Sequence, residues 1–217
     1  VMWKLAALLA VLLFAVAPPV SAAPRTLEPV DESAKDPELA KLIATLLKAC
    51  DDKDFKAFEA AMSPDALASF GGDAGPAGFR AVYGIDDPDS PFWDDFRAAL
   101  LQGGAFIEDG LYAAPYVYAK WPEDIDSFEY VVAIGDKTTL FAKPDAASRP
   151  LADVTHQFLR LPGDETGANV PEGWMAVSAD GVAGFVKIAE TASPVGHRAI
   201  FQKTVNRWWL GAFVSGD

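Results

Sequence analysis

Apolar side chains change their spacing about halfway along the chain. Leu39, Leu42, Ile43, Leu46 and Cys50 recur at intervals of three and four, lining one face of a 3.6-residue helix. Asp36, Pro37 and Glu38 precede them as an N-cap, a first-turn proline and an acid near the positive helix end. After a turn at 51–54, Phe55, Phe58, Ala61 and Met62 predict a second helix, stopped by Ser63 and Pro64. Pro64 can itself open a third short helix through Ala68. Residues 70–78 hold too much Gly and Pro for an element interior and read as a loop. Phe79, Val82 and Tyr83 predict a short helix, and Phe92, Phe96, Ala99 and Leu100 a further helical face that Gly103 and Gly104 end. Residues 38–103 therefore form a helical region.

Beyond Gly104 the pattern becomes that of strands. Residues 104–127 are rich in aromatic side chains and form a connecting extended segment, which Pro115 and Pro122 confine to sheet edges. Short strands follow at 128–134, 138–142, 155–159, 173–177 and 183–188, separated by Gly, Pro or Asp. Many short strands with turn signals predict a small β-barrel or sandwich over 128–192. Residues 193–217 add a C-terminal hairpin around Val205 and Asn206. The expected class is α+β: a small N-terminal helical region, then a barrel with an added hairpin.

The first 22 residues change the picture of where such a fold works. Lys4 heads an apolar run too short to span a bilayer, Pro18 and Pro19 break it, and Ser21 and Ala22 offer a small-residue cleavage site. This predicts an export signal cut after Ala22, hence a periplasmic or secreted protein of about 195 residues with no membrane attachment after cleavage. Residues 23–37, punctuated by Pro24, Pro29 and Pro37, read as a flexible leader. A net charge of −13 disfavours nucleic acid and anionic lipid as partners.

Composition narrows the chemistry. Cys50 is the only cysteine, so no intrachain disulfide forms, and its place on an apolar helix face makes it a core residue. Only His156 and His197 exist, at no metal-ligand spacing, and His156 reads as a mid-strand structural residue. Asp86, Asp87, Asp89, Asp94 and Asp95 cluster around Pro88 and Pro91, but their spacing is not that of a calcium loop. Asp94 and Asp95 suit the first turn of a helix instead. No nucleophile elbow or phosphate loop is present in the sequence. These features predict no catalytic site, no cofactor and no metal.

Two late motifs carry a resemblance. Gly173-Trp174-Met175-Ala176-Val177 and Gly181-Val182-Ala183-Gly184-Phe185-Val186 resemble the middle and closing motifs of the bacterial SH3-like domain family. Leu140-Phe141-Ala142-Lys143-Pro144 occupies the place of its opening motif, with Phe and Lys where the family has Asn and Arg. The whole layout, from export signal to the ending Arg198 through Trp208 to Gly216 and Asp217, is similar to secreted proteobacterial SH3-domain-containing proteins. The resemblance implies a fold and a compartment; by analogy with wall-binding members it implies a peptidoglycan fragment or short peptide as ligand.

The expected function is therefore a non-enzymatic binding module of the cell envelope. Tyr130, Trp174, Phe185, Trp208 and Trp209 are the candidates to edge an aromatic groove, with one of Trp208 and Trp209 inward and the other outward by strand alternation. Lys143 and Arg207 are the candidates to meet a ligand carboxylate. The alternative is an interaction protein that docks onto another periplasmic protein.

Overall fold

A computed structural model describes residues 25–163, 170–205 and 207–216. The expected export signal and Asn206 of the hairpin turn lie outside the described residues. The fold is mixed α+β, built on two sheets, and no helix among the described residues is long and apolar enough to cross a membrane.

The N-terminal half contains α1 (Pro37–Asp52), α2 (Phe55–Ala61), β1 (Met62–Leu67), α3 (Gly75–Tyr83) and α4 (Phe92–Leu101). The start of α1 follows the sequence signals: Asp36 accepts from the amides of Glu38 at 3.0 Å and Leu39 at 3.3 Å. Its far end closes on Lys53 in the left-handed conformation. The expected short helix after Pro64 is instead β1, an edge strand parallel to the chain's last strand, and an edge tolerates a proline.

Next come β2 (Ala105–Glu108), β3 (Leu111–Ala114) and the one-turn α5 (Tyr116–Ala119). The strands that follow are β4 (Tyr130–Ala133), β5 (Thr139–Phe141), β6 (Pro150–Asp153), β7 (Phe158–Arg160), β8 (Trp174–Ala179) and β9 (Val182–Lys187). The short β10 (Thr191–Ala192) precedes the hairpin of β11 (Arg198–Thr204) and β12 (Arg207–Val214).

The first sheet has the order β1-β12-β11-β3-β2. The C-terminal hairpin is thus not an appendage of a barrel. It lies in the sheet that the helices cover, and β3 is an interior strand because Pro115 falls just past its end. The core between this sheet and the helices is aromatic: Phe58, Phe79, Phe92, Phe96, Phe201 and Phe213 are fully buried. Cys50 sits in the same core, where burial pushes its thiol up to about 12.

The second sheet has the order β10-β4-β7-β8-β9-β5-β6. Its edge strands β10 and β6 do not pair with each other among the described residues, so the sheet is open rather than a closed barrel. One face buries Val131, Leu140, Leu159, Val177 and Val186. Asp180 and Gly181, both at positive φ, make the tight β8–β9 turn, as twisted hairpins require. Gly184 is needed for a different reason: a Cβ there would lie 2.7 Å from the Phe141 carbonyl oxygen and 2.8 Å from Leu140 Cγ. Gly184→Ala is expected to cost about 1–3 kcal/mol by overpacking; an unchanged urea midpoint would show that the β5–β9 contact is loose.

A small third cluster of Leu27, Tyr116, Val117 and Val132 lies where α5 and the chain's N-terminal residues meet β4. The expected flexible leader is instead bonded along its described length. Thr26 bridges to Gln157, the Leu27 amide donates to the His156 carbonyl at 2.8 Å, and the Phe106 amide donates to Glu32 at 3.1 Å. His156 is consequently not mid-strand: it stands at φ 58° before β7, with Nδ1 2.9 Å from Glu28 Oε2.

Candidate functional site

Strand pairing decides which side chains of the second sheet share a face. Tyr130 on β4 pairs with Arg160 on β7, Arg160 with Ser178 on β8, and Ser178 with Ala183 on β9. Directly opposed residues project to the same side, so these four form one row across the sheet. The neighbouring row runs Ala176, Phe185, Phe141 over β8, β9 and β5. Trp174, two residues before Ala176, belongs to the same side. This is the side away from Val177 and Val186, and its members are half-buried or exposed while those two are buried.

At one end of this face, Val132 and Phe158 are covered by the third cluster. The remainder is open. Phe141 and Trp174 meet edge to face, centroids 5.6 Å apart at 85°. Phe185, Ala176, Ala142 and Pro162 line a cavity of about 430 Å³. Beside it, Tyr130, Arg160, Arg25, Asp124 and Asp180 line a more polar cavity of about 510 Å³. Ser178 belongs to both, so an apolar and a polar depression adjoin on one surface.

The polar cavity carries its own charge pattern. Arg25 makes a two-point contact with Asp124, at 2.6 and 2.7 Å, which holds the Asp124 carboxyl below its ordinary range. Arg160 donates to Glu129 at 3.0 Å, and both partners are more than half exposed. The Tyr130 hydroxyl and the Trp174 indole N–H have no hydrogen-bond partner among the described residues and stand half-buried. A face with apolar rings and unspent donors can bind a ligand that offers both carbonyl acceptors and apolar surface.

The structure brings together Tyr130, Trp174 and Phe185 on this face, and Lys143 follows Ala142 of the apolar cavity in the exposed turn after β5. It does not bring the rest. Trp208 lies on β12 of the other sheet, is 3% exposed, and donates its indole N–H to Asp36 at 2.9 Å. Trp209, on the opposite side of that strand as alternation predicts, is half-buried and donates to Thr204 Oγ1 at 3.2 Å. Arg207 is spent locally: its guanidinium carbon is 3.2 Å from the Trp209 ring centroid, and it donates to the Ala60 carbonyl at 2.8 Å. These three residues edge no groove shared with Trp174.

The chain matches no family model, no curated protein and no solved structure.

Residues that sequence reasoning left out complete the face. Phe141 stands in a quoted motif and would follow from alternation with Leu140 inward. Arg160 was missed because the strand was expected to stop at Leu159, and the alternation Phe158, Arg160 was its signal. Arg25 and Asp124 come from far parts of the chain and carry no local signal.

The acidic loop before α4 is accounted for by neighbours. Asp86 pairs with Arg80, Asp87 accepts the Asp89 amide at 2.9 Å, and Asp94 and Asp95 occupy the first turn of α4. Among the described residues no group of three or more His, Cys, Asp or Glu is arranged to hold a metal ion.

Proposed function

We propose that this chain is a non-enzymatic binding module of the bacterial cell envelope, exported through residues 1–22, whose second sheet is of SH3-like type. Its open face, with Trp174, Phe141 and Phe185 at the apolar end and Tyr130 and Arg160 at the polar end, holds a peptidoglycan fragment or a short peptide. The observation that carries this reading is the pair of adjoining cavities that meet at Ser178. The β8–β9 hairpin supports the SH3-like reading, since the two quoted motifs occupy its strands and the turn between them.

Aromatic faces stack on apolar stems and sugar rings at little entropic cost, and an adjacent cation discriminates for a carboxylate. Binding of this kind rests on buried apolar area and persists when salt screens the charges. Co-sedimentation with purified sacculi is expected to survive 0.5 M NaCl. Trp174→Ala is expected to weaken it at least about tenfold, the loss of one aromatic anchor. Trp209→Ala, on the other sheet, is expected to leave it unchanged. Retention of wild-type binding by a folded Trp174→Ala protein would refute the assignment of this face.

Docking onto another envelope protein is the second reading. It is favoured by Phe70 and Val82, exposed side chains that line a separate cavity of about 420 Å³ with Tyr83 and His197. Absence of sacculus binding together with a crosslinked partner lost on Phe70→Ser would favour it.

A further inference from the structure

Among the described residues Arg198 is the one charged side chain in the buried set, at 7% exposure. A guanidinium cannot shed its proton to escape burial, so its charge must be met by hydrogen bonds or by an anion. The chain has 31 acidic residues against 18 basic ones, yet none of the acids among the described residues pairs with it. The arginines that do have acidic partners, Arg25, Arg80, Arg97 and Arg160, are all 42% exposed or more, where such a partner matters least.

What surrounds Arg198 is aromatic. Its guanidinium carbon lies 4.9 Å from the Tyr118 ring centroid and 5.3 Å from that of Phe70. Ring faces attract the cation but do not use up its in-plane donors. Of five N–H donors, one makes a protein hydrogen bond among the described residues, from Nη1 to the Gly196 carbonyl at a long 3.4 Å. No Arg198 nitrogen is among the enclosed, partnerless side-chain atoms of the described residues, so the fork, flanked by two rings and left without a carboxylate, remains open to receive one.

We propose that Arg198, at the start of β11 and between Tyr118 of α5 and Phe70, is the recognition residue of a second binding site, for a carboxylate. The fork matches a planar carboxylate in two parallel hydrogen bonds. The single guanidinium supplies one positive charge, which suits a monoanion better than a dianionic phosphate in a protein of net charge −13. Arg198 lies on the first sheet, so the site is independent of the face that carries Trp174.

The test is a titration of the protein with sodium acetate, sodium phosphate and sodium chloride at matched ionic strength, following the arginine Nε–Hε signals by NMR. The Arg198 signal is assigned through bonds from its own amide, so the titration is decisive even where a variant fails to fold. A saturable shift with acetate, with no response to chloride, is the expected result. Arg198→Lys keeps the charge but loses the planar fork, and is expected to weaken acetate binding at least about tenfold as seen on the Tyr118 ring signals. A shift that chloride reproduces, a linear response up to the highest acetate concentration, or tighter binding of phosphate than acetate would each overturn the assignment.

Discussion

Phe58→Ala is expected to destabilise the protein by about 3–5 kcal/mol, the range for deleting a fully buried aromatic side chain. Phe58 is 0% exposed, and five rings surround it. Phe96 stands 4.9 Å away at 80°, Phe92 at 5.2 Å and 81°, and Phe79, Trp93 and Phe55 at 5.8 to 6.1 Å. Edge-to-face partners on α4 and a tilted one on α3 fix α2 between them, so the site cannot collapse when the ring is removed. The cost then includes the cavity as well as the lost transfer energy. For a protein of this size each kcal/mol lowers Tm by roughly 2–4 °C, so a fall of about 6–20 °C is expected. Urea and thermal unfolding check it. A loss below about 1 kcal/mol would mean that the helices do not close on the first sheet as described.

The second large effect is expected at Asp36, which does three things at once. It caps α1, accepts Lys203 Nζ at 2.6 Å, and accepts the buried Trp208 indole N–H at 2.9 Å. Asp36→Ala removes a cap, about 1 kcal/mol, and strands a buried donor, about 1–3 kcal/mol. The Lys203 pair is solvent-screened and adds little to this. A total of about 2–4 kcal/mol follows.

The same contacts give Asp36 a signature in pH. Lys203 first, and then the Trp208 N–H, hold its carboxyl down to about 2 from an ordinary 3.8. Between those values the unfolded chain binds the proton and the folded one does not. Stability from this group is therefore full above about pH 4 and is lost as pH falls toward 2. Asp124 and Asp153 are also held low, so the measurement is a difference: Tm of wild type minus Tm of Asp36→Asn, followed from pH 6 to pH 2. That difference is expected to shrink on acidification; a constant difference would show that folding does not lower the Asp36 carboxyl.

Local signals were legible where local forces decide. The N-cap, first-turn proline and apolar spacing located α1, and Asp180 with Gly181 located the β8–β9 turn. Period-two alternation set Trp208 and Trp209 on opposite sides of one strand, whereas the shared side of Trp174, Phe185 and Phe141 follows only from the pairing of their strands. Pairing between distant strands was not legible. Nothing in the sequence around Trp208 says that β12 lies between β1 and β11, under the helices, with an acceptor waiting at Asp36. The same holds for β1, whose Pro64 reads as a breaker until its edge position is known. Half of the expected aromatic groove was therefore assigned to the wrong sheet, while the half on β4, β8 and β9 came together.

The open face of the second sheet is the proposed ligand site, and the indole N–H signals of the tryptophans report on it. Trp174 has an unspent donor on that face, whereas Trp208 is buried against Asp36 on the other sheet. Titration with a soluble muropeptide is expected to shift Trp174 saturably and leave Trp208 and Trp209 where they are. Movement of Trp208 or Trp209 with Trp174 unmoved, or no movement of any indole up to millimolar ligand, would contradict the account.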